Sequence, residues 1–74
     1  MLLGAIWNGE SLAIAPIVEI AKLPAKQIVS TPLGSLTIHQ ADAQLKFDCD
    51  AKFPIEVHLG DRVIKTDSRS TCTI

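Results

Sequence analysis

One stretch, "LKFDCDAKFP" from Leu45 to Pro54, gathers two carboxylates, a thiol and two ammonium groups around two phenylalanines. Asp48 and Asp50 carry the oxygen ligands that hard cations such as Mg²⁺ or Ca²⁺ prefer. Asp50-Ala51-Lys52 also has the D-x-K spacing used by some metal-dependent nucleases. Such chemistry needs a further acidic residue on a neighbouring strand and, in two-metal sites, a pair of ions held a few ångströms apart. No such partner can be assigned from spacing, and a three-residue match arises readily by chance.

A softer metal site would draw on His39, His58, Cys49 and Cys72. Structural zinc sites bring their ligands in close pairs such as C-x₂₋₄-C, and none of these four has a companion at that spacing. Asp48, Asp50, His39 and His58 therefore stand only as weak metal candidates, and no cofactor is implied. No nucleophile sits in a recognisable strand-turn-helix elbow, so no catalytic residue is assigned.

The elements that position these residues are strands. "QLKFDCD" alternates, with Leu45, Phe47 and Cys49 on one side and Lys46, Asp48 and Asp50 on the other, the pattern of a half-buried strand. In that geometry the thiol faces away from the carboxylates. The simpler reading of the acidic face is then a solvated strand surface, flanked by Lys46 and Lys52, that discourages aggregation.

Three turn signals organise the rest of the chain. Asn8-Gly9 suits a type I′ hairpin turn between "LLGAIW" and "ESLAIA". A two-residue loop there pairs Trp7 with Glu10, Ala5 with Leu12 and Leu3 with Ile14, leaving Leu2, Gly4, Ile6, Ala13 and Ala15 on the opposite face. Both faces are apolar or small. At "VSTPLGSLTIHQ", Pro32 and Gly34 suit a three-residue hairpin loop that sets Ser30 against Leu36 and Ile28 against Ile38. Gly60-Asp61 suits a tight primed turn that pairs Val57 with Ile64 and sets Glu56 against Lys65. Opposite charges facing across strands support that last register.

Residues 15–26, "APIVEIAKLPAK", fit two descriptions. The β-branched density of "IVEI" favours continuation of the preceding strand. A short helix over residues 16–23, opened by Pro16 and stopped by Pro24, is the alternative. The expected fold is mostly β: a small meander of about six short antiparallel strands forming a compact barrel or sandwich. It is read as one domain over residues 1–74, with a loosely held Ser/Thr-rich tail at 67–74 and Cys72 exposed within it.

Composition narrows the function classes. With 74 residues, 47% of them hydrophobic and 20% charged, the chain has the makeup of a folding domain, not a disordered one. A domain this small buries only about 60% of the surface its unfolded chain exposes. Two distant cysteines are not the framework of a secreted mini-protein, and they read as reduced thiols in the cytoplasm. The first residues lack the positive region of a signal peptide. No run approaches the roughly 20 apolar residues of a membrane span.

Seven basic residues against eight acidic ones, net charge −1, give no basic patch for phosphates, and one Trp, two Phe and no Tyr offer little for base stacking. Nucleic acid is thus an unprompted partner, and the class that would use it, a small OB- or SH3-like barrel, is kept as a second alternative. The first alternative is a divalent-metal module or enzyme on the Asp48/Asp50 face. The reading that survives is a protein-interaction domain, with enzymatic activity left open: an assembly subunit, adaptor or inhibitor of another macromolecule, self-associating through its N-terminal hairpin. Its interface residues are expected to be Leu2, Ile6, Trp7, Leu12 and Ile14, with Trp7 as the side-chain type enriched at binding hot spots.

Overall fold

The computed structural model describes residues 2–42 and 44–73. Eight strands run in the order β1 (Leu3–Trp7), β2 (Leu12–Pro16), β3 (Lys26–Thr31), β4 (Gly34–Ala41), β5 (Gln44–Asp48), β6 (Pro54–Leu59), β7 (Arg62–Asp67) and β8 (Thr71–Thr73). They build two four-stranded sheets, ordered β1-β2-β6-β7 and β3-β4-β5-β8, facing each other as a small sandwich. The mostly β fold expected from the pattern is what forms. Its strands do not simply follow one another, because β6 leaves the β3-β4-β5 meander and pairs in parallel with β2 through Leu12↔Ile55 and Ile14↔Val57.

The core follows from strand alternation. Leu3, Leu12, Ile14, Ile55 and Val57 from the first sheet meet Val29, Leu36, Ile38, Leu45 and Phe47 from the second, and Leu23, Cys49, Phe53 and Cys72 complete the cluster. Each inward residue is separated from the next by one facing solvent, as a pleated strand requires. Along β5 the burial alternates as expected, with Leu45 and Phe47 inside and Lys46 and Asp48 outside.

The three hairpins match their expected registers to different degrees. Gly60-Asp61 does form a two-residue turn, pairing Val57 with Ile64 and Glu56 with Lys65. Gly60 carries φ +61° while Asp61 stays negative, the signature of a type II′ turn. The first hairpin is longer than expected: Trp7 pairs with Leu12, not Glu10, and Ala5 with Ile14. The Asn8 carboxamide explains the difference, because its Oδ1 accepts from the amides of Glu10 and Ser11 at 2.9 and 2.7 Å. Asn8 thereby opens an Asx-type turn in place of occupying a central position of a type I′ turn. The shift is by two residues, so every side chain keeps its expected face.

At the second hairpin the slip is by one, and the outcome is different. Thr31 pairs with Gly34 across Pro32-Leu33, which places Val29 opposite Leu36 and Ile28 opposite Thr37. The Thr31 hydroxyl donates to the Gly34 carbonyl at 2.6 Å and accepts from the Leu33 amide at 3.2 Å, holding the shorter loop. Val29 is consequently inside and Ile28 outside, the reverse of the expected Ile28/Ile38 pairing.

Two segments also differ from expectation. Strand β2 ends at Pro16, and the β-branched "IVEI" contributes only to a bend followed by one 3₁₀ turn, Ile20–Lys22. Pro16 sits opposite Leu3. Because Ile17 N–H donates to the Leu2 carbonyl and Asn8 N–H to that of Ser11, the even-numbered residues of β1 make the bonds to β2. Leu3↔Pro16 is thus a pair that asks no donor of proline, and the strand tolerates it there.

The Ser/Thr-rich tail is not loose. Its residues Thr71–Thr73 form β8, which pairs with β5 through Leu45↔Cys72, and the Phe47 amide donates to the Ser70 carbonyl at 2.9 Å. Cys72 is 2% exposed, contrary to the expectation of a surface thiol, because alternation in β8 turns it onto Leu45. Ile74, the end of that tail, lies outside the described residues.

Candidate functional site

The decapeptide resolves into a scaffold element. Its first half is β5, with Asp48 on the outer face opposite Thr37 and Lys46 opposite His39. Its second half is a loop pinned by Ser68, which is fully buried. The Ser68 hydroxyl donates to the Ala51 carbonyl and accepts from the Phe53 amide, while the Ser68 amide donates to the Phe53 carbonyl at 3.2 Å. Asp50 and Lys52 point to solvent from this loop.

The weak metal candidates are dispersed by the same topology. His39 lies on the outer face of one sheet and His58 on that of the other, with the sandwich core between them. Cys49 and Cys72 are buried free thiols. Burial pushes the Cys72 thiol upward, and the Arg62 charge only partly offsets this. Among the described residues no three His, Cys, Asp or Glu side chains converge. Of the aromatic side chains, Phe47 and Phe53 are buried and Trp7 is half-buried.

One cleft, of about 470 Å³, lies between the decapeptide loop and β7, lined among others by Lys52, Phe53, Lys65, Asp67 and Ser70. Its carboxylate is already engaged. Asp67 Oδ1 accepts from the Ser70 hydroxyl at 2.7 Å and from the Arg69 amide at 3.0 Å. These two bonds, the Ser70 one first, hold the Asp67 carboxyl below its usual value against some opposing desolvation, and the Lys52 charge adds the smallest contribution. The group serves as the anchor of the β7–β8 turn. Because its folded pKa is depressed, the stabilisation it gives is complete above the ordinary carboxylate range near 4 and fades as pH falls through the folded value. Urea titrations of the wild type and Asp67→Asn are accordingly expected to differ most at neutral pH and to converge as the pH falls through the folded value.

What remains is the outer face of the N-terminal hairpin, and here the expected interface residues divide. Leu12 and Ile14 are core residues. Trp7 packs edge-to-face on Phe53, ring centroids 5.3 Å apart at 90°, so it belongs to the rim of the core. Leu2 is half-buried, its amide bonded to Gln27 Oε1 at 3.1 Å. Of the five, only Ile6 is free, at 71% exposed. The two apolar faces of the hairpin were legible, but which of them turned inward depends on the second sheet.

Ile6 does not stand alone on that face. Gly4, Ala13 and Ala15 form a floor of small residues, and Ile6, Ile17 and His58 rise around it to enclose an apolar groove of about 380 Å³. Ile17 is 61% exposed and was missed by sequence reasoning, which extended the strand through it. The signal that could have found it is Pro16, which ends β2 and turns the following residue back over Gly4. A Cβ on Gly4 would lie 3.4 Å from Ile17 Cγ2, so the two are in close register. The polar border of the groove is on β6, where His58 Nε2 lies 3.5 Å from Glu56 Oε2 and Glu56 faces Lys65.

No family model, curated protein or solved structure matches this chain. No helix among the described residues is long and apolar enough to cross a membrane.

Proposed function

We propose that the chain is a small cytoplasmic protein-interaction domain, an assembly subunit, adaptor or inhibitor of another macromolecule, that self-associates through its N-terminal hairpin. The observation that carries this reading is the groove floored by Gly4, Ala13 and Ala15 and walled by the exposed Ile6 and Ile17. Large apolar side chains gathered on one outer face, with polar groups along one border, are the usual mark of a contact surface. The inner face of the same hairpin is satisfied by the core, so the outer face is the one left for a partner.

The test is the absolute mass in solution by light scattering, for the wild type and for Ile6→Glu/Ile17→Glu with reductant present. The wild type is expected to be a dimer or larger, and the double variant a monomer with an unchanged far-UV circular dichroism spectrum. A monomeric wild type would end the self-association reading. Trp7→Ser is the wrong probe, since it would strip the cover from Phe53 and disturb the fold itself.

A further inference from the structure

We propose that self-association, resting on the reading above, occurs by edge pairing: β1 of one copy adds antiparallel to β1 of a second copy, joining the two β1-β2-β6-β7 sheets into one continuous sheet. Among the described residues the four sheet edges are β1, β7, β3 and β8. Three are guarded in the ways that prevent strand addition. β7 carries Arg62, Lys65 and Asp67, β3 begins at Lys26 and runs into Pro32, and β8 is three residues long. β1 reads Leu-Gly-Ala-Ile-Trp, with no charge, no proline and no bulge in its pairing with β2.

Its free side is also ready to bond. Since the even residues of β1 bond to β2, the N–H and C=O groups of Leu3, Ala5 and Trp7 point to the open edge. Among the described residues they make no backbone hydrogen bond there.

Area and charge argue for a second copy as the occupant. An exposed apolar strip of this kind offers roughly 300–600 Å², short of the roughly 800 Å² that each partner contributes to a stable interface. Main-chain hydrogen bonds from an added strand make up such a deficit. The strand that fits is β1 itself. A two-fold axis at Ala5 pairs Leu3 with Trp7 of the second copy and Gly4 with Ile6 of the second copy, using the whole strand. The exposed Ile6 then covers the notch left by the missing Gly4 side chain beside Ile17, and the same contact repeats across the axis, as a self-complementary interface must. An uncharged strand meets its own copy without like-charge repulsion.

Amide hydrogen exchange by NMR, with light scattering at the same concentration, tests this on the unmodified chain. The expected result is a closed dimer in which the amides of Leu3, Ala5 and Trp7 are protected, losing that protection on dilution to monomer. Ala5→Pro is expected to abolish the dimer, because it deletes a donor aimed at the open edge and leaves the β1–β2 bonds intact. A dimer with these three amides exchanging freely would overturn edge pairing and leave the hairpin-face reading standing. Species larger than a dimer would overturn the two-fold closure. A monomeric wild type would overturn both, and would leave the edge to a foreign strand.

Discussion

Phe47→Ala is expected to leave the chain largely unfolded in water at room temperature. Phe47 is among the largest fully buried side chains, it faces Ile38 across the β4–β5 pair, and it belongs to the one cluster that joins the two sheets. Truncating a buried phenylalanine removes its transfer free energy and leaves a cavity, together about 3–5 kcal/mol. Whole domains are stable by only about 5–15 kcal/mol, and one of this size belongs at the low end. Far-UV circular dichroism and a urea titration would show the loss directly. A cooperative transition with a midpoint close to the wild type would mean that the core does not depend on this side chain.

The second large effect is expected at Ser68, a residue with no obvious part in a hydrophobic core. Ser68→Ala removes a hydroxyl that serves two backbone groups at once, the Ala51 carbonyl and the Phe53 amide. A buried polar group left without a partner costs about 1–3 kcal/mol, and because the Ala51 carbonyl is only part-buried, a destabilisation toward the low end of the roughly 2–6 kcal/mol for two such groups is expected. The substitution is nearly isosteric, which separates this from a packing effect. The measurement is the urea midpoint, accompanied by hydrogen exchange at Phe53, whose amide should lose protection first. An unchanged midpoint would show that water serves the loop as well as the hydroxyl does.

Together these two residues make the decapeptide a structural element. Its alternation was readable because period-two burial is a local property, and Leu45, Phe47 and Cys49 fell inward as read. Its charged residues are the outer half of the same alternation. Local readability extended to turns only where the turn residues had a single solution. Gly60-Asp61 had one, since a primed two-residue loop needs positive φ at its first position and glycine supplies it. Asn8-Gly9 had two, and the Asn8 carboxamide selected the longer loop by bonding to two amides beyond it. Pro32-Leu33-Gly34 had two that differ by one residue, and the shorter loop sets Ile28 against Thr37 in place of Ile38.

The rest was beyond local pattern. Nothing near Leu12 announces that its partner is Ile55, and nothing near Cys72 announces Leu45. Both pairings join segments widely separated in the chain, and they decide which face of the first hairpin is core. That is why Leu12 and Ile14 were assigned to an interface together with Ile6. Their residue types are those of either environment, and only the position of β6 and the second sheet distinguishes them.

The parallel β2–β6 contact also bears on how the chain reaches this fold. The three hairpins and the β4–β5 pair close short loops and should form quickly, whereas Leu12↔Ile55 spans more than half the chain and must wait for the β3-β4-β5 meander to be in place. Until β6 docks, the first hairpin has inward-facing Leu12 and Ile14 uncovered and two open edges, one of them destined for β6. An early encounter between two chains can therefore fill the wrong edge, with β6 of one molecule completing the hairpin of another. The same arrangement that gives the mature domain one unguarded strand gives the chain a second before β6 docks, and exchange of the β6–β7 hairpin between molecules is the misassembly that this topology invites.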